Sequence, residues 1–417
     1  MGPVITREFE HAPSLDQSRA SDEMKLLVKL ATALQHYGAP AHRLERACTA
    51  VSQKMGLEAH FFSTPTAVFA SFGNLENQRT YLLRVVSGDI HLERISQIDW
   101  VIQELMTDKL MCRDALTSLD ELLSAPERFG QLLTTFTFGI ASGTACRFMG
   151  GGIPEILVAT VIGLIIGCLA LVGAKNPAMG NVMMPLSAII ASSLGALGAT
   201  NIDGFVAYPA TVAGLIVLVP GLSFTTAMVE LSTGHLASGT GRLAKALSMF
   251  LLMAFGIALG SQVSWNIPIS LNMASAALPP WTEWCALGIA TPAFAILFRA
   301  QPKDWIWVIL AGPIAFYSAR FGGQVMGPEL GSFIASFTLG TVANLFARFL
   351  KRPAAIMMEP GIIFLVPGTM GLKSISALLA DDPLLGIDSA FSMVLVAIAL
   401  VIGILFANVV VPPRRSL

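Results

Sequence analysis

Two copies of the tetrapeptide Leu-Val-Pro-Gly, Leu218–Gly221 and Leu365–Gly368, constrain this chain more than any other feature, because each lies inside a long apolar run. In a helix interior Pro costs about 3 kcal/mol and Gly about 1 kcal/mol relative to Ala. A hydrophobic segment with both at its centre is predicted to be interrupted there, with backbone N–H and C=O groups freed. In hydrocarbon such groups persist only where protein or a wet cavity satisfies them. Matched interruptions in two halves of a membrane protein point to a transport site.

Composition sets the frame for that reading. Of 417 residues 54% are hydrophobic and 13% charged, far from a soluble globular balance. The charge is uneven, since 30 of the 53 charged side chains fall in residues 1–128. This shift predicts a polar domain followed by a membrane domain. A net charge of −1 argues against a nucleic-acid partner. Five cysteines without paired spacing read as apolar fillers, and no cleaved signal peptide is expected from the polar, acidic N-terminus.

Residues 1–20 read as a disordered tail and 21–128 as a cytoplasmic α+β domain in the order ααβββαα. One helix starts near Ser21 and stops at Gly38, and a second runs from Pro40 to about Met55. Three β-rich runs follow, 57–63, 66–72 and 80–86, then helices near 92–110 and 113–123. His42 and Glu45, flanked by Arg43 and Arg46, read as a solvated helix face rather than a metal or acid–base site. No H-E-x-x-H, G-x-S-x-G or P-loop pattern occurs, so neither an enzyme nor a cofactor is expected.

Ten segments of spanning length follow: 131–149, 153–172, 182–199, 205–231, 243–263, 282–298, 305–321, 330–350, 354–379 and 389–411. With residues 21–128 inside, ten of thirteen flanking Lys and Arg fall on the cytoplasmic side, the exceptions being Arg147, Arg320 and Lys373. Both termini are then cytoplasmic. Residues 129–264 and 281–417 divide as five plus five spans, with Pro-Gly in the fourth of each half. Because five is odd, the halves must lie in opposite orientation. The expected fold is therefore a polytopic α-helical membrane protein with ten transmembrane helices as a five-plus-five inverted repeat. Gly163 and Gly167 form a GxxxG pattern for close helix packing, and Asn344 reads as interhelical glue.

The helix that restarts after each interruption presents free N–H groups and the positive end of its dipole, a setting for a carboxylate. The substrate-binding candidates are Pro220, Gly221, Ser223 and Thr225 in one half, and Pro367, Gly368, Thr369 and Lys373 in the other. The bland alternative is that Pro-Gly only kinks both helices and the hydroxyls bond back to their own turns. Intramembrane carboxylates are functional candidates because burying charge is costly, which singles out Glu230 and Glu359 for proton coupling. Glu230 reads equally well as an interface residue.

The run Val217–Glu230 (VLVPGLSFTTAMVE), followed by Gly234-His235, resembles the hallmark stretch of the threonine/serine exporter family. Gly38-Ala39-Pro40 with Arg43-Leu44-Glu45 is similar to that family's soluble domain, and the second Leu-Val-Pro-Gly to its C-terminal half. The resemblance covers about residues 21–411 and implies the fused, single-chain form. It implies secondary export of small amino acids, threonine and serine, driven by the proton motive force across an inner membrane, with His235 joining the proton-coupling candidates. Some split members are associated with dicarboxylates such as succinate, so that substrate and a channel-like permease stay open, as does a homo-oligomer. The expected partners are therefore a small amino acid or dicarboxylate, protons and the lipid bilayer.

Overall fold

The computed structural model describes residues 22–86, 88–262, 278–379 and 382–413. The N-terminal tail, Ser21, most of the 264–280 connection, Asp381, Arg414 and Arg415 lie outside the described residues.

The N-terminal elements follow the local chemistry of the chain. Helix α1 (Asp22–His36) opens with acidic Asp22 and Glu23, as its dipole favours. It gives way to Gly38, whose φ of +81° suits glycine. Helix α2 (Ala41–Lys54) begins directly after Pro40, whose fixed φ prepares the first turn. Strands β1 (Ala59–Thr64), β2 (Ala67–Phe72) and β3 (Arg79–Arg84) form one antiparallel sheet in that order. Its register pairs Phe61 with Ala70 and Val68 with Leu83. Helices α3 (Leu92–Met106) and α4 (Cys112–Ser124) complete the layer. Leu26, Leu30, Leu34, Leu44, Val51, Val68, Ile98, Ile102 and Leu119 share one buried core.

Twelve α-helices follow among the described residues. They are α5 (Gln131–Phe148), α6 (Ile153–Lys175), α7 (Pro177–Asn201), α8 (Ala207–Gly214), α9 (Gly221–Ser232), α10 (Leu236–Ser261), α11 (Trp281–Leu297), α12 (Trp305–Met326), α13 (Pro328–Leu350), α14 (Ala355–Ile362), α15 (Gly368–Leu379) and α16 (Pro383–Val410). Six described stretches are long and apolar enough to cross a membrane: α6, α7, α10, α16, residues 302–325 of α12 and its lead-in, and residues 329–350 of α13. Their outward faces expose Leu157, Leu251, Phe255, Ile306 and Phe391, where a water-soluble protein would carry charge. The chain is thus a polytopic helical membrane protein.

The helices pack in matched sets. Helix α7 lies along α10, and α13 lies along α16. Helix α8 packs on α5, α6 and α7, as α14 packs on α11, α12 and α13. Helix α9 then crosses to α10 and α16, and α15 to α16 and α10. Close packing uses small residues, since a side chain at Gly167 would meet Thr135 of α5 at 3.1 Å. Asn344 donates to Asn408 Oδ1 (2.9 Å) and to the Val411 carbonyl (2.8 Å), tying α13 to the end of α16. Arg147 and Arg320 both pair with Glu283, whose single carboxylate offsets one of their two positive charges.

The N-terminal layer sits on this bundle through backbone as well as side chains. Leu92 and Glu93 donate their N–H groups to the carbonyls of Phe298 (2.9 Å) and Arg299 (3.0 Å).

Candidate functional site

Both Leu-Val-Pro-Gly stretches are helix interruptions. Helix α8 ends at Gly214 and α9 starts at Gly221, while α14 ends at Ile362 and α15 starts at Gly368. In each case an eight-residue helix precedes the gap and a twelve-residue helix follows it. Freed groups find partners nearby, as where Ser142 of α5 donates to the Gly214 carbonyl at 3.2 Å. The Gly221 N–H turns back to the Val219 carbonyl (2.8 Å), and Pro220 sits at φ −78°, ψ 34°.

The two interruptions meet. A Cβ placed on Gly221 would lie 3.0 Å from the Gly368 Cα and would run into the Val366 side chain. A Cβ on Gly368 would lie 3.1 Å from the Gly221 Cα and 2.6 Å from Val219 Cγ1. Pro220, Gly221, Pro367 and Gly368 are all buried at this crossing.

Around the crossing the candidate polar groups divide. Thr225 is buried and donates back to the Gly221 carbonyl at 3.1 Å, within its own turn. The half-buried hydroxyls of Ser223 and Thr369 make no hydrogen bond to the described residues. The N–H groups of Leu222 and Ser223, and of Gly368 and Thr369, have no backbone acceptor among the described residues. These are the orphan donors expected in the first turn of a helix. Lys373 is half-buried on α15 and has no ion-pair partner among the described residues.

The carboxylate candidates lie at the junction with the N-terminal layer. Glu230 is fully buried and saturated. Its Oε1 accepts from the Ala41 N–H (2.9 Å), its Oε2 from the Ser238 hydroxyl (2.7 Å), and both accept from Arg242 Nε at 3.1 Å. It thus occupies the positive N-terminus of α2. Glu359 is 7% exposed and lines a small cavity of about 10 Å³ with Arg43, Gly38, Ala39, Pro40 and Ala355. Arg43, in the same lining, is its main countercharge, with Arg242 second.

His42 and Glu45 depart from the expected solvated face. The turn between α9 and α10 covers them, with His235 Nε2 3.3 Å from Glu45 Oε2 and the His42 and His235 rings 6.0 Å apart. Burial, reinforced by Arg43, Arg46, His235 and Arg242, pushes the His42 imidazole down to about 3. Burial raises Glu45 against the opposing Ser63 N–H and His235. Burial also lowers Arg43 against the pull of Glu359. Arg43 lies on the helix face expected to be solvated, yet the structure places it in the lining beside Glu359. The sequence signal for Arg43 is its place in the Arg43-Leu44-Glu45 motif that follows Gly38-Ala39-Pro40.

The apolar spanning helices define a polytopic helical membrane protein. Residues 25–264 match the ThrE family model, and residues 284–410 match the companion model described as Threonine/Serine exporter, ThrE. The chain belongs to the threonine/serine exporter family, with both family segments fused in one polypeptide. It is 26% identical over 389 residues to a Pheromone-regulated membrane protein 10 of Debaryomyces hansenii, covering 88% of this chain and 37% of that protein. It is 25% identical over 429 residues to the Uncharacterized protein C16A10.01 of Schizosaccharomyces pombe, covering 94% and 51%. The Kluyveromyces lactis Pheromone-regulated membrane protein 10 is 26% identical over 381 residues, covering 89% and 39%. The chain therefore spans about half the length of these relatives or less. No solved structure matches it.

Proposed function

We propose that this chain is a secondary active exporter of small hydroxy amino acids, threonine and serine, driven by the proton motive force. The observation that carries the proposal is the meeting of the two interruptions, with Gly221 against Gly368. A cavity opened at that crossing would be lined by the free N–H groups and hydroxyls at Ser223 and Thr369, donors suited to a carboxylate and a substrate hydroxyl. The matched packing of α5 to α10 and α11 to α16 supports ten spans in a five-plus-five inverted repeat. An α+β domain at 21–128 on the cytoplasmic side, with both termini there, accords with the basic residues and with an inner-membrane setting.

In this reading Glu359 is the proton-carrying carboxylate. It is buried, it faces a small cavity, and its countercharge Arg43 belongs to a different layer. Glu230, with four hydrogen bonds, clamps the N-terminal layer to the membrane helices instead. His235 supports the clamp through Glu45.

One observation favours a second substrate class. Lys373, without an ion-pair partner among the described residues, could take the second carboxylate of a dicarboxylate such as succinate. Uptake of threonine, serine and succinate into inside-out vesicles under an imposed proton gradient separates these readings. Saturable, gradient-dependent accumulation of threonine or serine is the expected result. Linear, gradient-insensitive flux would point to a channel-like permease instead.

A further inference from the structure

The structure assigns Glu155 and Asp304 a matched role as positioning residues, each holding shut one end of the path to the crossing of the interruptions. This role rests on the transport function proposed for the chain, whereas its test needs no substrate.

Both carboxylates are 1% exposed, and both stand where the second long helix of a set begins. Glu155, in the first turn of α6, accepts from the Gly152 N–H through Oε2 (3.0 Å) and from the Val206 N–H through Oε1 (2.8 Å). Asp304, just ahead of α12, accepts from Arg352 Nη1, which also donates to the Lys303 carbonyl at 3.3 Å. Val206 immediately precedes α8, and Arg352 stands three residues before α14. Each carboxylate therefore grips the chain as it enters an interrupted helix. A helix cap needs only the donors of its own first turn. Reaching a segment 51 or 48 positions away is what a latch adds.

The gripped segments are built to bend. Residues 202–206 and 351–354 join α7 to α8 and α13 to α14, and each link holds one residue at positive φ, Gly204 (+73°) and Lys351 (+55°). Hinges are a few inter-element residues of this kind. The helices that follow have eight residues each and lead to Gly221 and Gly368 at the crossing.

The two grips lie at opposite ends of the bundle. Gln103 of α3 donates to the Lys351 carbonyl (3.3 Å), which puts Arg352 and Asp304 beside the N-terminal layer. Helix α5 starts at that same end, where the Phe129 and Trp305 rings are 6.3 Å apart. Its 18 residues rise about 27 Å before the turn that leads to Glu155. Releasing Arg352 frees α14 at the layer end, and releasing Val206 frees α8 at the far end. With both held, the crossing is closed from both sides.

The full chain carrying Ser223→Cys is placed in sealed membrane vesicles of either orientation, and a membrane-impermeant maleimide is added outside. Mass spectrometry reads the labelled fraction at position 223 alone. The variants are Arg352→Gln, the conservative Arg352→Lys, Glu155→Gln and Glu155→Asp, which shortens the reach to Val206 should the buried amide not fold. Thermal unfolding is measured on each. Arg352→Gln should raise labelling from the layer end at least about fivefold, the low end of coupling between two sites, and leave the far face unchanged. Arg352→Lys should stay closer to wild type. The Glu155 variants should do the reverse, raising labelling from the far face only. Carboxylates that merely stabilise the fold would change labelling from both faces alike or from neither, and either result would overturn the proposal. Sided labelling in a chain that carries neither threonine, serine nor succinate would uphold the latches and reject the export reading.

Discussion

Gly221 and Gly368, 147 positions apart in the chain, approach so closely that a methyl group on either would press on the backbone of the other. The opening residues of α9 and α15 thereby share one crossing. Closing the helix by an Ala-Ala replacement at Pro220-Gly221, attractive on propensity alone, is sterically blocked at the second position.

The Pro and Gly of each interruption should therefore separate by mutation. Gly221→Ala and Gly368→Ala are expected to lower stability by about 1–3 kcal/mol through overpacking. Pro220→Ala and Pro367→Ala add no atoms and should insert normally, while export fails. Expression level, thermal unfolding and vesicle transport on all four variants decide the matter. Full export by the proline variants would leave the interruptions as packing kinks.

Arg43 and Glu359 make a second test. Glu359→Gln should abolish gradient-driven accumulation yet leave exchange at equal concentrations. Arg43→Gln strips a buried carboxylate of its main countercharge and should cost about 3–5 kcal/mol. The double variant should recover most of that stability without recovering accumulation. Wild-type accumulation by Glu359→Gln would remove this carboxylate from coupling.

Glu230→Gln should behave differently. The amide cannot satisfy Ala41, Ser238 and Arg242 together, so docking of the N-terminal layer weakens by about 1.5–3 kcal/mol. Proteolysis near α2 should quicken, with gradient response per folded molecule retained. A stable protein with lost coupling would instead make Glu230 the proton site.

His42 predicts a pH dependence of known sign. Its imidazole, held at about 3 by burial and neighbouring cations, is ordinarily near 6.5. Below 6.5 the unfolded chain binds a proton that the native state refuses, so stability falls as pH drops from 6.5 towards 3. The slope is at most about 1.4 kcal/mol per pH unit for this one group. His42→Gln should lose that component of the acid sensitivity. An unchanged acid profile in the variant would show that His42 protonates without cost.

A topology experiment checks the repeat itself. A reporter after Leu417 should be cytoplasmic, and one inserted at Asp382 should lie on the opposite face. Both on one side would rule out ten spans.

Much of the architecture could be read from local patterns. Apolar runs set where α5 to α16 lie, and glycine and proline punctuation set the end of α1 and the start of α2. Both helix interruptions followed from propensity, because a Pro-Gly pair penalises a helix whatever surrounds it. Some starts were missed, as where α10 begins at Leu236 rather than 243. The small and polar residues between those positions continue a helix without extending an apolar run.

Partnership was another matter. Nothing along the chain indicated that Ala41 would hand its N–H to Glu230, 189 positions away, or that Arg43 and Glu359 would line one cavity. A charged side chain looks the same in sequence whether water or a carboxylate surrounds it. Its environment is set by which layers pack together, a property of long-range contacts. The sequence by itself determined where helices form and where they must stop, since those depend on energies local to a few residues. The tertiary structure alone decided that the two stops coincide, and which buried charges are satisfied, because both depend on segments brought together only by folding.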